Sequence, residues 1–88
     1  MKYKVLVVDD SIVMRRIITD LLSEDGEIEV VGTARNGAEA IEKVRTLNPD
    51  VVTMDITMPH MDGIECVEKL VQMKPEVLIL VISALADK

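Results

Sequence analysis

An 88-residue chain makes one domain at most, and a domain of that size buries only about 60–65% of the surface its unfolded chain exposes. Hydrophobic residues make up 49% of it and charged residues 30%, which excludes a disordered segment; with Tyr3 the sole aromatic, any core is built from Val, Ile, Leu, Met and Ala. A net charge of −6, with Arg15-Arg16 the only adjacent basic pair, argues against nucleic acid and anionic membrane as partners.

Along the chain two periodicities alternate. Lys4 to Val8 is apolar on both faces and ends at Asp9-Asp10, the pattern of a parallel strand covered on both sides. Ser11 can cap a helix whose stripe is Met14, Ile17, Ile18, Leu21 and Leu22, and Gly26 is expected to end it. Ile28 to Thr33 is a second strand. Asn36 caps a second helix, with Glu39 as its capping-box partner and Ala40, Ile41, Val44 and Leu47 as its buried stripe. Asn48-Pro49-Asp50 is a turn, because proline cannot continue the helix.

Val51 to Met54 forms the third strand and delivers Asp55 at its carboxyl end. After a loop from Ile56 to Met61, Asp62 and Glu65 repeat the capping spacing, and Ile64, Val67, Leu70 and Val71 line a third helix closed by Pro75. Val77 to Ile82 is a fourth strand with Ser83 at its end. The order β-α-β-α-β-α-β with short connections implies an α/β fold around a mostly parallel sheet, and such sheets bind ligands beyond the carboxyl ends of their strands.

Those ends carry the chemistry. Asp9 and Asp10 leave the first strand, Asp55 the third and Ser83 the fourth. If the first and third strands are neighbours, three carboxylates converge, and like charges so close raise a pKa or demand a cation. Carboxylates, carbonyl oxygens and water suit Mg²⁺. One aspartate after a strand is often only a helix cap, and Asp10 could serve so ahead of Ile12; an adjacent pair with a third acid at another strand end favours a metal site.

Val5-Leu-Val-Val-Asp-Asp10-Ser, Asp55-Ile-Thr-Met-Pro59 and Met61-Asp-Gly-Ile64 resemble the receiver domains of two-component signalling, above all stand-alone chemotaxis receivers of the CheY type and the receiver part of chemotaxis methylesterases. The resemblance implies a flavodoxin-like, doubly wound parallel sheet in strand order 2-1-3-4. It implies that Asp55 is the phosphoacceptor, taking a phosphoryl group from a sensor histidine kinase or a small acyl phosphate. Asp10 then matches a direct Mg²⁺ ligand, Asp9 a ligand acting through water, and the Thr57 carbonyl the remaining protein ligand. Ser83 matches the hydroxyl that contacts the bound phosphoryl group, and Pro59 and Gly63 match the loop that shapes the site.

Other reactive residue types have plainer readings. His60, the only histidine, sits in a loop rather than on the exposed helix face that a phosphorelay histidine needs. Cys66, the only cysteine, can form no internal disulfide and falls near the apolar face of the third helix; Met14, Met54 and Met73 also fit core or boundary positions. No GxGxxG follows the first strand. Receivers carry a Lys-Pro pair after a fifth strand, but Lys74-Pro75 precedes the fourth and belongs to the opposite edge of the sheet.

Measured against the five strands and five helices that the resemblance implies, the pattern stops at Lys88, before a fourth helix, a fifth strand with its lysine and a fifth helix. The expectation is a truncated receiver with impaired switching, whose fourth strand is an uncharged edge and which forms a homo-oligomer through that strand or through uncovered helix faces. The alternative is a receiver-derived structural fragment without phosphotransfer. A phosphohydrolase working through an aspartyl phosphate ranks below both, since Thr57 stands where such enzymes place a second acid. With no signal peptide or membrane span in the sequence, the expected location is the cytoplasm.

Overall fold

The four apolar runs form strands β1 (Tyr3–Val8), β2 (Ile28–Ala34), β3 (Val51–Asp55) and β4 (Leu78–Ile82), with helices α1 (Ile12–Ser23), α2 (Gly37–Leu47) and α3 (Gly63–Met73) between them. The structure, a computed structural model, describes residues 2–55 and 63–82. All pairings are parallel and the order is β2-β1-β3-β4, the expected flavodoxin-like arrangement. Non-consecutive neighbours β1 and β3 pair from Val5↔Val51 to Val8↔Met54. That register decides which residues meet at the carboxyl edge.

The main core lies between the sheet and the pair α2 and α3. Leu6, Val8, Val52 and Met54 from the strands meet Ala40 and Val44 of α2 and Cys66 and Leu70 of α3. Gly32 lets α2 come down on the sheet, since a Cβ there would stand 2.9 Å from Leu47 Cδ1. A register shift between Val5 and Leu6 leaves Val31 out of the β1–β2 pairing and brings Gly32 opposite Leu6.

Helix ends follow local chemistry. Ser11 Oγ accepts the Met14 N–H at 3.2 Å, and Asn36 Oδ1 accepts the Glu39 N–H at 2.8 Å. The Glu39 carboxylate reaches back to accept the Arg35 N–H at 3.0 Å, one residue beyond the Asn36 N–H that a capping box would engage. Asn48 ends α2 in the left-handed region, φ 52°, and its N–H returns to Val44 O. Gly26 does not end α1: the helix stops at Ser23, Glu24 caps it in a right-handed conformation, and Asp25 Oδ1 turns the chain by accepting the Glu27 N–H.

Two expected stripes are covered only in part, Leu70 being buried and Val67 packed against the core on α3 as expected. On α1, Ile17 and Leu21 are exposed and no residue is buried, because among the described residues that helix packs chiefly on β1 and β2. On α3, Ile64 and Val71 are exposed while Gly63, Cys66 and Leu70 are buried. Small residues at 63 and 66 let α3 approach α2, with Cys66 Sγ 3.8 Å from Gly37 O. Met73 is exposed too, at the end of α3. Val77 lies in the core just before β4, whose Leu78, Leu80, Val81 and Ile82 are exposed.

On the α1 side, Tyr3, Val5, Leu22, Ile28, Val51, Thr53, Leu78 and Leu80 line a trough without polar surface. Thr53 is buried there, and its Oγ1 has no hydrogen-bond partner among the described residues. An unmade bond in such a place costs more than the hydroxyl contributes. Thr53→Val should therefore raise stability by about 1 kcal/mol, or several degrees in Tm for a chain this short. Thermal unfolding followed by circular dichroism checks this; a lowered Tm would mean that the hydroxyl is engaged in the fold.

Candidate metal centre

Three residues separate β1 from α1, and two of them are acidic. The strand pairing carries Val8 opposite Met54, so the next residues along each strand, Asp9 and Asp55, come side by side about one strand spacing apart, roughly 4.8 Å. Asp10 follows on the same loop. Carboxylate oxygens of Asp9, Asp10 and Asp55 all lie within 4.8 Å of one another, with Asp9 and Asp55 buried and Asp10 exposed.

Asp9 is held on every side. Its N–H donates to Ala34 O at 3.0 Å and its Oδ1 accepts the Ser11 N–H at 2.9 Å. Its carbonyl accepts from Arg15 Nη1 at 2.8 Å. Burial raises the Asp9 pKa above the ordinary carboxylate value; the Ser11 N–H opposes that rise, the charges of Asp55 and Asp10 add to it, and the Arg15 guanidinium counters it. This carboxylate is ionised at a cost, and a cation between the three groups removes that cost.

The donor set fits a small hard ion. Oxygens around one Mg²⁺ sit about 2.0–2.1 Å from it and so about 3–4 Å from each other, a spacing that this trio reaches by a small contraction. No thiol or imidazole accompanies them among the described residues. Cys66, buried in the core, has its thiol pushed up to about 11 by desolvation, with Glu65 adding to the shift and Lys69 opposing it, which leaves it protonated and unreactive at neutral pH.

Of the residues singled out in the sequence, Asp9, Asp10 and Asp55 are brought together. Thr57, Pro59, His60 and Ser83 lie outside the described residues. Lys74 sits at the other end of the sheet, where its Nζ donates to Asn48 Oδ1 and to the Pro49 carbonyl. Arg15 is the contact that sequence reading missed. The signal was its place one turn into a helix that starts at a strand end, since helical side chains lean toward the N-terminus.

Residues 5–88 match the response regulator receiver domain model, and the chain belongs to that family. It is 58% identical over 80 residues to a protein-glutamate methylesterase/protein-glutamine glutaminase of Pseudoalteromonas atlantica, a match covering 91% of this chain and 21% of that protein. A methylesterase/glutaminase of Nocardioides sp. is 54% identical over 97% of this chain and 23% of its own length. The chain thus spans between a fifth and a quarter of these curated relatives. Among solved structures, the response regulator domain of Thermotoga maritima CheB superposes with a TM-score of 0.88 at 42% identity, covering all of this chain (100%) and 65% of that one. A chain of the CheX–CheY–BeF3–Mg²⁺ complex from Borrelia burgdorferi gives 0.87 at 35% identity, covering 98% of this chain and 65% of that one.

Crowded carboxylates predict a trade between stability and ion binding. Asp9→Asn keeps an Oδ1 acceptor for the Ser11 N–H and removes a buried charge. Because the folded-state pKa of Asp9 is raised, its ionisation penalty is complete above that pKa and vanishes below the ordinary carboxylate value. Asp9→Asn should thus raise the Mg²⁺-free Tm by several degrees at pH 7, with the gain shrinking as pH falls through the raised pKa. The same variant should lose most of the rise in Tm that millimolar Mg²⁺ gives the unaltered chain. Melting curves at several pH values, with Mg²⁺ or with chelator, measure both effects.

Proposed function

We propose that this receiver domain accepts a phosphoryl group on Asp55, with a Mg²⁺ ion held by Asp9, Asp10, Asp55 and the Thr57 carbonyl. The observation that carries the reading is the meeting of three carboxylates at the carboxyl edge of a parallel sheet, with Asp55 buried at the end of β3. When bound, Mg²⁺ supplies charge neutralisation for the oxygens of the phosphoryl group in transit. Asp55 provides the nucleophile: one carboxylate oxygen forms a bond to phosphorus as the bond from phosphorus to the donor's histidine nitrogen or acyl oxygen breaks. The electron pair of that bond leaves with the donor, as imidazole or carboxylate. Asp9 and Asp10 would hold the cation beside the reacting oxygens. Ser83 hydrogen-bonds the phosphoryl group once it is in place.

The donor is a sensor histidine kinase or a small acyl phosphate, and a cytoplasmic setting goes with either. Among the described residues no helix is long and apolar enough to cross a membrane. The BeF3 and Mg²⁺ present in the Borrelia complex support the acidic edge as the place where a phosphoryl mimic and its ion would sit here. The two curated relatives described above are methylesterases, which favours a setting in which this domain governs an attached ester-hydrolysing domain. Ester hydrolysis itself is not assigned to residues 1–88.

A second reading, a receiver-derived scaffold, rests on a different observation. Nothing among the described residues pairs with the outer edge of β4, and its Leu78, Leu80, Val81 and Ile82 are exposed without a charge between them. Such an edge templates pairing with a second strand. We propose that the 88-residue chain self-associates through it or through the bared face of α1.

Incubation with acetyl phosphate and Mg²⁺, followed by mass spectrometry, should add one phosphoryl group on Asp55. Asp55→Asn or chelation of Mg²⁺ should abolish the adduct, and an unmodified Asp55 in a folded sample would sink the phosphoacceptor reading. Sedimentation of the 88-residue chain at tens of micromolar should show dimers or larger species, with Val81→Lys shifting them toward monomer; a monomeric unaltered chain would refute the association.

A further inference from the structure

The acidic site has a cation of its own, supplied by α1. Arg15 Nη1 donates to the main-chain carbonyl of Asp9 at 2.8 Å, six residues back along the chain, while the Arg15 N–H donates to Ser11 O at 2.9 Å. The linker between Val8 and Ile12 is therefore gripped from both sides: Asp9 N–H on Ala34 O, Asp9 Oδ1 on the Ser11 N–H, Ser11 Oγ on the Met14 N–H, and the Asp9 carbonyl on Arg15. Arg15 is partly buried in this position, whereas its neighbour Arg16 is 81% exposed and pairs with Asp20.

A positive side chain near the start of a helix opposes the helix dipole, and no acidic residue stands in the first turn of α1 to offset it. Helix stability alone gives no reason for a cation here. The linker gives one: among the described residues, this guanidinium is the α1 side chain that bonds it, beside the capping Ser11. We propose that Arg15 is a positioning residue for the metal centre: it holds the Asp9 carbonyl so that the Asp9 and Asp10 carboxylates converge on Asp55. The inference rests on the phosphoacceptor reading above, in which those carboxylates hold Mg²⁺.

Two effects of Arg15 on a bound dication oppose each other. Its charge repels the ion, which by itself would make Arg15→Ala bind more tightly. Its hydrogen bond fixes two ligands at once, and its loss frees them. The guanidinium is partly open to solvent, so at physiological salt its repulsion is screened, while the ordering of a three-residue linker is not. The clamp dominates.

Mg²⁺ titration at fixed ionic strength, by calorimetry and by the amide resonances of Asp10 and Ser11, tests this on the unaltered chain, Arg15→Ala and Arg15→Lys, each first shown folded by circular dichroism. Arg15→Ala should weaken Mg²⁺ binding roughly fivefold to tenfold, the scale of one hydrogen bond made by a partly exposed donor, and Arg15→Lys should recover part of the loss. Exchange of the Ser11 amide with solvent should quicken in Arg15→Ala without a matching change at the buried strand amides. Acetyl-phosphate labelling of Arg15→Ala should need more Mg²⁺ for half its maximal rate and regain the unaltered rate at saturation. Equal or tighter Mg²⁺ binding by Arg15→Ala, or a labelling defect that saturating Mg²⁺ does not repair, would overturn the proposal. Absence of Mg²⁺ binding by the unaltered chain would instead remove the phosphoacceptor reading and this inference with it.

Discussion

The parallel register of β1 against β3 is the constraint on which the site depends. Val8 lies opposite Met54, and both are buried on the face that α2 and α3 cover, so neither strand can slip without moving its apolar set off the core. Asp9 and Asp55 are the residues that follow. Their proximity is thus a consequence of packing one residue earlier on each strand, and forty-six positions of sequence separation cost the site nothing once the core is formed. Asp10 and its linker then need to be held only over the short distance to α1, where Ser11, Met14 and Arg15 hold them.

The same arrangement works against the fold. Buried Asp9 and Asp55 beside Asp10 repel one another, and burial makes ionised Asp9 costly. A small domain has a few kcal/mol of margin, so such a cluster is a local destabilisation carried by the Val, Leu and Met contacts below it. It is tolerated where a ligand removes the repulsion, which is why a cluster of like charge at a strand edge reads as a binding site rather than as a packing error.

Much of this was legible in the residues. Apolar runs ending in Asp9-Asp10 and Asp55 gave the strands and the edge, and Asn36 and Ser11 gave helix starts that the capping bonds bear out. What periodicity could not supply was the partner of each apolar face. Ile17, Leu21, Ile64 and Val71 obey helical spacing and are exposed all the same, because spacing tells which residues share a face and not whether anything covers it. On α3 the expected stripe of Ile64, Val67, Leu70 and Val71 holds at Leu70, which is buried, and at Val67, which packs against the core, while small Gly63 and Cys66, by permitting the close approach to α2, turn Ile64 and Val71 outward. Arg15 escaped for a related reason: a hydrogen bond to a backbone carbonyl leaves no trace in residue types.

The two faces of the sheet therefore carry different burdens. The α2–α3 face holds the continuous core, and it is this face that sets the β1–β3 register and so the distance between Asp9 and Asp55. The α1 face is thinly covered, with a nonpolar trough running from Tyr3 to Leu80 and a helix that buries none of its residues. Occupation of that trough, by whatever surface, changes the exposure of β4 and the seat of α1 but leaves the register in place. Among the described residues, the thin face is tied to the acidic edge by the hydrogen bonds of Met14 and Arg15 in α1 to the Asp9–Ser11 linker. Geometry of the buried pair is a property of the well-packed half of the molecule, whereas the linker that carries the exposed third carboxylate is held by the first turns of α1, so that a contact made on the α1 face can reach the acidic edge through that helix.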